Sequence, residues 1–227
     1  MKRAVGFFAG FLLITFFAGI LPAVASAPED EDFGVWTSFD LETRVKEDWK
    51  LHLGEDVRFR DAGGLFYYET HAGLQHQTLD WLALGGEYVH IRSASFSKGK
   101  NHWTWESRPR FYATPIVKWR GWVLEDRNMM EFRFRQNAEN TMRYRNRVTV
   151  SAPWRWTAWK IQPFAANEIF LETSRNGLIQ NRFFSGFRFQ PGRHLKCSLY
   201  YMRQSQKNNA GHWRDANILG TSAAFIF

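Results

Sequence analysis

Residues 218–227 read I-L-G-T-S-A-A-F-I-F and end the chain on an aromatic residue. Bulkier and smaller side chains alternate at a period of two, which is the geometry of a β-strand. A terminal strand that ends in Phe resembles the signal read by the bacterial outer-membrane insertion machinery, but it is equally typical of the last strand of a soluble β-sandwich. The face that would form the insertion signal carries Leu219, Thr221, Ala223, Phe225 and Phe227.

The beginning of the chain has the three parts of a secretory signal peptide. A positively charged start is followed by an apolar stretch over residues 5–21 and by a small-residue cleavage site that ends at Ala27. We therefore predict that residues 1–27 are a cleaved signal peptide. Residues 28–32 are then an acidic linker, and residues 33–227 form a single β-barrel domain, for which the evidence follows.

The composition is compatible with an exported membrane barrel. The mean hydropathy of −0.43 resembles that of a soluble protein, but a β-barrel carries its membrane signal in the alternation of its strands. A formal charge of +8 could indicate a nucleic-acid partner. Export, and the placement of the arginines on strands, argue against that partner. The single Cys197 has no second cysteine with which to form an internal disulfide.

The chain after the linker is predicted to be almost entirely β-strand. The candidate strands are longer than the five or six residues usual in soluble proteins, and their length suits tilted strands that cross a membrane. They number eleven and cover residues 33–44, 48–60, 65–78, 81–92, 102–113, 122–136, 142–151, 160–172, 180–190, 194–204 and 216–227. Because bacterial single-chain barrels have even strand numbers, we predict an all-β, antiparallel up-and-down transmembrane β-barrel, with twelve strands favoured and ten possible.

The connections between these candidate strands differ in length. Residues 78–80 and 190–193 are tight turns, whereas residues 93–101, 135–141 and 205–215 are longer and polar. Short turns on one side and longer loops on the other are typical of outer-membrane barrels. We therefore expect the C-terminus at the periplasmic face and the longer loops outside.

Tryptophans cluster near the predicted strand ends. Trp119 and Trp122 flank one turn, and Trp154, Trp156 and Trp159 lie in another. Amphipathic indole rings are enriched where a bilayer meets water. The two clusters are therefore predicted to lie at the periplasmic rim.

The two faces of the candidate strands differ sharply. In residues 142–151 arginines occupy every second position, and the alternate positions are mostly apolar. Arg and Glu in a confined lumen can pair, whereas Arg on the lipid face would cost about 2–4 kcal/mol at the bilayer midplane. Residues 160–172 fit less well, because Glu168 shares a face with Phe164 and Phe170. The predicted lumen-lining residues are Glu106, Arg108, Arg110, Glu131, Arg133, Arg143, Arg145, Arg147, Glu168, Arg182 and Arg188.

This set contains eight arginines and three glutamates, which predicts a lumen with net positive potential. Long side chains would fill much of a barrel of ten or twelve strands. Charge of one sign selects oppositely charged ions. We therefore expect a pore that is closed or very narrow, with any leak favouring anions.

The sequence was also searched for residues that carry chemistry. His71 and His76 are five residues apart, so they point to opposite faces of one strand and do not form a metal-ligand pair. Ser198 and Ser222 fall on faces assigned to the lumen, His194 lies near a turn, and no G-x-S-x-G motif occurs. We predict no catalytic residue, no cofactor and no metal site.

Several segments, in a fixed order, resemble the domain of unknown function 2490 family. They are Glu106-x-Arg108, Glu131-x-Arg133, Arg143-Tyr144-Arg145-Asn146-Arg147, Pro163 with Glu168-Ile169-Phe170, Asn181-Arg182-Phe183 with Gly186-Phe187, and Tyr200-Tyr201. The resemblance covers most of the mature chain. It implies a bacterial outer-membrane β-barrel, and it implies no activity, substrate or catalytic residue.

Together these patterns predict a porin-like outer-membrane protein of Gram-negative bacteria that has no enzymatic activity. It would be structural or form a narrow, anion-leaning channel with an Arg/Glu-lined lumen. The expected partners are outer-membrane lipid and, during biogenesis, the assembly machinery, with no nucleic acid and a monomeric state. Two alternatives remain open at this point: an outer-membrane lipid-modifying enzyme, either hydrolase or acyltransferase, and an exported soluble β-sandwich that binds a ligand.

Overall fold

A computed structural model of the protein describes residues 32–60, 64–97, 100–208 and 210–227. All of them belong to one compact unit, Glu31–Phe227. The predicted signal peptide, and the acidic linker up to residue 31, lie outside the described residues. No helix among the described residues is long and apolar enough to cross a membrane.

The described residues form eleven β-strands, numbered here in chain order. They are β1 Asp32–Lys46, β2 Trp49–Arg60, β3 Gly64–Leu79, β4 Leu82–Ser97, β5 Lys100–Trp119, β6 Trp122–Arg135, β7 Thr141–Ser151, β8 Gln162–Glu172, β9 Arg175–Gly192, β10 Leu195–Lys207 and β11 Trp213–Ile226. Each strand pairs with its neighbours in sequence, and β1 also pairs with β11, so the sheet closes into a barrel. The prediction of an all-β barrel is confirmed.

The closing pair differs from every other pair because it is parallel. Asp32 lies opposite Ala216, and Glu42 lies opposite Ile226. Every hairpin reverses the chain, so the first and last of an odd number of strands run in the same direction. The pairing nevertheless satisfies both edges of the sheet, and a closed sheet leaves no free strand edge.

The expectation of twelve or ten strands, all antiparallel, is therefore not met within the described residues. The eleven candidate segments correspond to the eleven strands, and several strands extend further than predicted. β5, for example, covers Lys100–Trp119 instead of residues 102–113. The even-number rule failed because it assumes that the first and last strands meet antiparallel, whereas a parallel ladder closes this barrel.

The hairpins alternate between two ends of the barrel. We call the end where β11 finishes the C-terminal rim and the other end the opposite rim. Two-residue turns at positions 47–48, 80–81, 120–121 and 193–194 lie at the C-terminal rim. The longest connection, between β7 and β8, also lies at the C-terminal rim. At the opposite rim the loops are shorter than predicted, because the strands extend further than the candidate segments. The expected contrast of short turns at one end and long loops at the other is thus weaker than predicted.

The outward faces of the strands carry most of the exposed apolar side chains. Examples from five different strands are Leu53, Leu84, Leu124, Leu199 and Leu219. Exposed tryptophans lie along the C-terminal rim, on strand ends and in connections between the start of β2 and the start of β8. They are Trp49, Trp81, Trp119, Trp122, Trp154, Trp156 and Trp159. A ring of indoles therefore borders one end of an apolar outer surface.

The outward face is not apolar throughout. On β6 and β7, Asn146 donates hydrogen bonds to Asp126 at 2.5 Å and to Asn128 at 3.2 Å. The Tyr144 hydroxyl donates to Asn128 from the same face. Because these polar groups bond one another, the cost of removing them from water is reduced.

Two tyrosines lie flat over glycines on neighbouring strands inside the barrel. The ring of Tyr200 on β10 occupies the space that a Cβ would need at Gly220 on β11, and its Cα and Cβ lie against Gly186 on β9. Tyr112 covers Gly85 in the same way. Glycine is required at these positions because only a residue without a side chain lets an aromatic ring lie against the sheet.

We predict that Gly220→Ala destabilises the barrel, because the new methyl group would displace the Tyr200 ring. Overpacking of this kind costs about 1–3 kcal/mol. Urea unfolding of the refolded protein in detergent micelles measures the loss. Gly192→Ala is the matched control, since a Cβ at Gly192 meets no atom within 4 Å. Equal stability of the two variants would show that Tyr200 moves aside freely.

Candidate functional site

The interior of the barrel contains several cavities, and two of them share five lining residues. The larger has a volume of about 550 Å³, and the second, towards the C-terminal rim, has a volume of about 420 Å³. We call them the large cavity and the rim cavity. Both are lined by Asp40, His71, Glu87, Arg127 and Arg147, and these five residues are called the neck. Because these residues line both cavities, the two cavities lie next to each other at the neck.

Glu131 on β6 is the most buried charge in the interior, with no exposed surface. Its carboxylate is contacted by Arg143 at 2.5 Å, Arg145 at 2.7 Å and Arg110 at 2.8 Å. The Arg110 contact is an ion pair without a hydrogen bond, because the Nε–H does not point at the oxygen. Three guanidinium groups, from the two strands on either side of β6, therefore converge on one carboxylate.

Glu168 on β8 is a second such centre and is almost as buried. Arg145 reaches it at 2.7 Å, Arg127 at 3.3 Å and Arg182 at 3.5 Å. Arg145 thus bridges Glu131 and Glu168. A buried carboxylate is tolerated only when such partners replace its water.

The network extends to the remaining strands of this side. Arg110 also contacts Glu69 at 2.9 Å and Glu87 at 3.0 Å. Nearer the opposite rim, Arg133 joins Glu106 and Glu172, each at 2.6 Å. Glu106 also pairs with Arg108 at 2.7 Å. Charged side chains from β3 to β9 therefore cross the interior in mutual contact.

Aromatic rings explain why β8 did not fit the simple alternation. Phe164 and Phe170 point inward beside Glu168, because their rings stack against arginines. Phe170 lies 4.8 Å from the Arg145 guanidinium and 4.7 Å from that of Arg182. Phe164 lies 4.7 Å from that of Arg188. A cation above a ring face is stabilised by the ring quadrupole, so an inward Phe does not conflict with an inward Glu.

Two histidine–carboxylate pairs lie side by side at the neck. His71 on β3 is hydrogen-bonded to Asp40 on β1 at 2.9 Å, above Gly54 of the intervening strand. His52 on β2 is hydrogen-bonded to Glu87 on β4 at 3.1 Å across Gly73. A Cβ at either glycine would collide with the pair above it. Neither pair was predicted from the sequence. The signal that could have indicated them is a Gly at an inward position of the strand that lies between the two partners.

The structure brings most of the predicted lumen-lining residues together in the interior. Arg147 is separate because no carboxylate among the described residues contacts it, and Arg188 lies nearer the C-terminal rim, 3.6 Å from Glu125. Further inward carboxylates were not assigned from the sequence: Asp40, Glu42, Asp56, Glu69, Glu87, Glu125 and Glu172. Three basic residues that line the large cavity or the rim cavity, Arg58, Arg127 and Lys50, were also not assigned. The seven added carboxylates outnumber these three, so eight arginines against three glutamates does not describe the charge of the interior. That count was drawn from a few strands whose alternation was clearest.

Charge is distributed unevenly around the large cavity. Eight of the nine arginines that line it lie on β5 to β9, and Arg58 on β2 is the exception. Four of its six acidic residues, Asp40, Asp56, Glu69 and Glu87, lie on β1 to β4. An acidic wall thus faces a basic wall.

The serines and the histidine that were considered as possible catalytic residues are hydrogen-bonded to near neighbours. Ser198 hydrogen-bonds to Ser222, and His194 donates to the Ile226 carbonyl at 2.7 Å. Within the described part of the chain, no three His, Cys, Asp or Glu side chains are grouped closely enough to hold a metal ion.

Four of the proposed insertion-signal residues, Leu219, Thr221, Ala223 and Phe225, lie on the closing strand β11, and Phe227 directly follows it. On the outward face of β11, Phe225 packs against Phe39 of β1 with ring centroids 5.7 Å apart. Thr221 is hydrogen-bonded to Thr37 at 3.2 Å. These side chains therefore reinforce the seam between the first and last strands.

A model of the family described as "Protein of unknown function (DUF2490)" matches residues 33–215. This match confirms the resemblance seen in the sequence. No curated protein matches the chain.

We predict that Glu131→Gln destabilises the barrel by about 3–5 kcal/mol, because removing one partner of a buried ion pair leaves the others uncompensated. Here three arginines would lose their shared carboxylate. Urea unfolding in micelles, followed by tryptophan fluorescence, measures the effect. Glu139→Gln makes the same chemical change in an exposed loop and should leave stability unchanged. If both variants unfold at the same urea concentration, Glu131 does not hold the network together.

Proposed function

The chain belongs to the DUF2490 family of proteins of unknown function, and we propose that it is an outer-membrane β-barrel without enzymatic activity. Its role is structural or that of a narrow, anion-leaning channel. The observation that carries the proposal is an Arg/Glu network that crosses the interior of a closed barrel whose outer surface is largely apolar.

The outer surface supports the membrane location. A soluble protein places its apolar side chains inside, whereas this barrel has buried charges and exposes leucines on many strands. Large exposed apolar surfaces indicate contact with a membrane or a partner. The tryptophan ring at the C-terminal rim is typical of a bilayer interface. The predicted signal peptide, with cleavage after Ala27, agrees with export.

The interior supports a narrow passage. Arginines bridge carboxylates across the space between strands, and the neck residues line both the large cavity and the rim cavity. The anion preference no longer depends on a general excess of arginine. It is supported by Arg147, a neck residue whose guanidinium contacts no carboxylate in the described part of the chain.

We predict that Leu199→Arg impairs assembly far more than Ser198→Arg. Leu199 is exposed on the outward face, where Arg would cost about 2–4 kcal/mol at the bilayer midplane. Ser198 is its neighbour on the inward face and lines an interior cavity. Membrane fractionation and heat-modifiable gel migration report assembly. If the Leu199→Arg variant assembles as well as the unmodified protein, this face meets water, as in a soluble barrel.

We predict that Arg147→Ser widens the passage and weakens its preference for anions. No ion pair is broken by this change, so the barrel should keep its fold. Reversal potentials in planar bilayers under a salt gradient measure the selectivity, and Arg193→Ser in the turn after β9 is the control. A large cation-selective conductance in the unmodified protein would contradict the proposed channel.

A further inference from the structure

Two inward arginines stand apart from the ion-pair network. Arg147 contacts no carboxylate among the described residues, and its buried Nε has no hydrogen-bond partner. Its cross-strand neighbour Glu168 is already engaged by three other arginines. Arg58 makes no hydrogen bond within the described part of the chain, and its nearest carboxylate oxygen, on Asp56, is 3.8 Å away. Both guanidinium groups therefore retain donors for another acceptor.

Aromatic rings hold these arginines in place without using their donors. Arg58 is sandwiched between Trp36 at 3.9 Å and Tyr67 at 3.8 Å, measured from the guanidinium carbon to the ring centroids. Arg147 lies 4.4 Å from the ring of Phe184. A stacked guanidinium keeps its N–H groups in its own plane, free to bind at the edge. The two groups are thus oriented before any ligand arrives.

The two arginines converge on one region of the large cavity. Both line it, together with Arg182 and Tyr200. The ring of Trp36, which Arg58 covers, also lies 4.8 Å from the Arg182 guanidinium, and the ring of Phe184, which Arg147 covers, lies 5.7 Å from that of Tyr200. The Tyr200 hydroxyl makes no hydrogen bond among the described residues. Its ring lies flat over Gly220 on β11, and its Cα and Cβ lie against Gly186 on β9. The region offers four donor groups, and the acidic side chains that contact its arginines are Asp56, 3.8 Å from Arg58, and Glu168, 3.5 Å from Arg182.

We propose that the large cavity binds a small organic phosphate. The fork of a guanidinium matches two phosphate oxygens, so Arg58 and Arg147 would hold the phosphate with the Tyr200 hydroxyl. The organic part would lie against Trp36 and Phe184, which line the same cavity. A volume of about 550 Å³ suits such a ligand. The inference deepens the proposed channel and rests on it only in expecting the ligand to arrive as a solute through the lumen.

Isothermal titration calorimetry on the folded protein in detergent micelles tests the site. The probes are phenyl phosphate, inorganic phosphate and a short-chain phosphatidic acid. Phenyl phosphate should bind saturably and more tightly than inorganic phosphate, because the aromatic side chains contact its ring. Phosphatidic acid should bind more weakly than phenyl phosphate, because its two acyl chains do not fit the cavity.

The variant Arg147→Gln should lose about tenfold or more in affinity for phenyl phosphate, since charge-assisted hydrogen bonds are about twice as strong as neutral ones. Arg147→Lys keeps the charge without the fork and should fall between that variant and the unmodified protein. Arg193→Gln removes the same charge from an exposed turn and should bind normally. Heat-modifiable migration verifies that each variant is folded.

Three results would overturn the inference: no saturable binding of phenyl phosphate, an equal loss in Arg147→Gln and Arg193→Gln, or binding of phosphatidic acid alone. The calorimetry needs no conductance, so the two proposals fail separately. A barrel that conducts anions but does not bind phenyl phosphate keeps the channel and loses the site. A barrel that binds phenyl phosphate but carries no current keeps the site and loses the channel.

Discussion

The structure depends on two buried carboxylates, Glu131 and Glu168, each shared among three arginines. Neither charge is tolerable in a low-dielectric interior by itself. Because side chains on a strand alternate between faces, a shift of one residue would carry these charges to the outer surface. The network therefore fixes the phase of β5 to β9, and it also determines which side chains the outer surface presents.

The parallel seam follows from a different constraint. Eleven strands put the beginning of β1 at the opposite rim and the end of β11 at the C-terminal rim. Closure then relies on a slanted parallel ladder, which is slightly weaker per residue than an antiparallel one. The ring contact between Phe39 and Phe225, and the hydrogen bond between Thr37 and Thr221, lie on this seam. The side chains of β11 therefore have a structural role apart from any part they play in insertion.

Much of this architecture could be predicted from the sequence, because alternation is a local property. The inward face of β7 is indicated by the alternation of Arg143, Arg145 and Arg147, without information from any other strand. The number of strands was predicted wrongly because the even-number rule was applied, although the candidate segments numbered eleven. The pairs His71–Asp40 and His52–Glu87 join strands that are not adjacent, so they depend on register and on intervening glycines. No spacing along one strand encodes them.

The uneven charge of the interior explains why one arginine can remain available in so crowded a network. On β5 to β9, carboxylates are too few for the arginines, so Glu131 and Glu168 are each shared. The missing negative charge lies across the cavity on β1 to β4, where Asp40 and Glu87 are held by histidines. Arg147 projects at the neck between these walls. An anion in the lumen would meet there a cation whose Nε is buried, whose position is fixed by Phe184, and which no carboxylate contacts among the described residues. The same feature can therefore favour anion passage and hold an anion in place, and the balance depends on how tightly the anion binds.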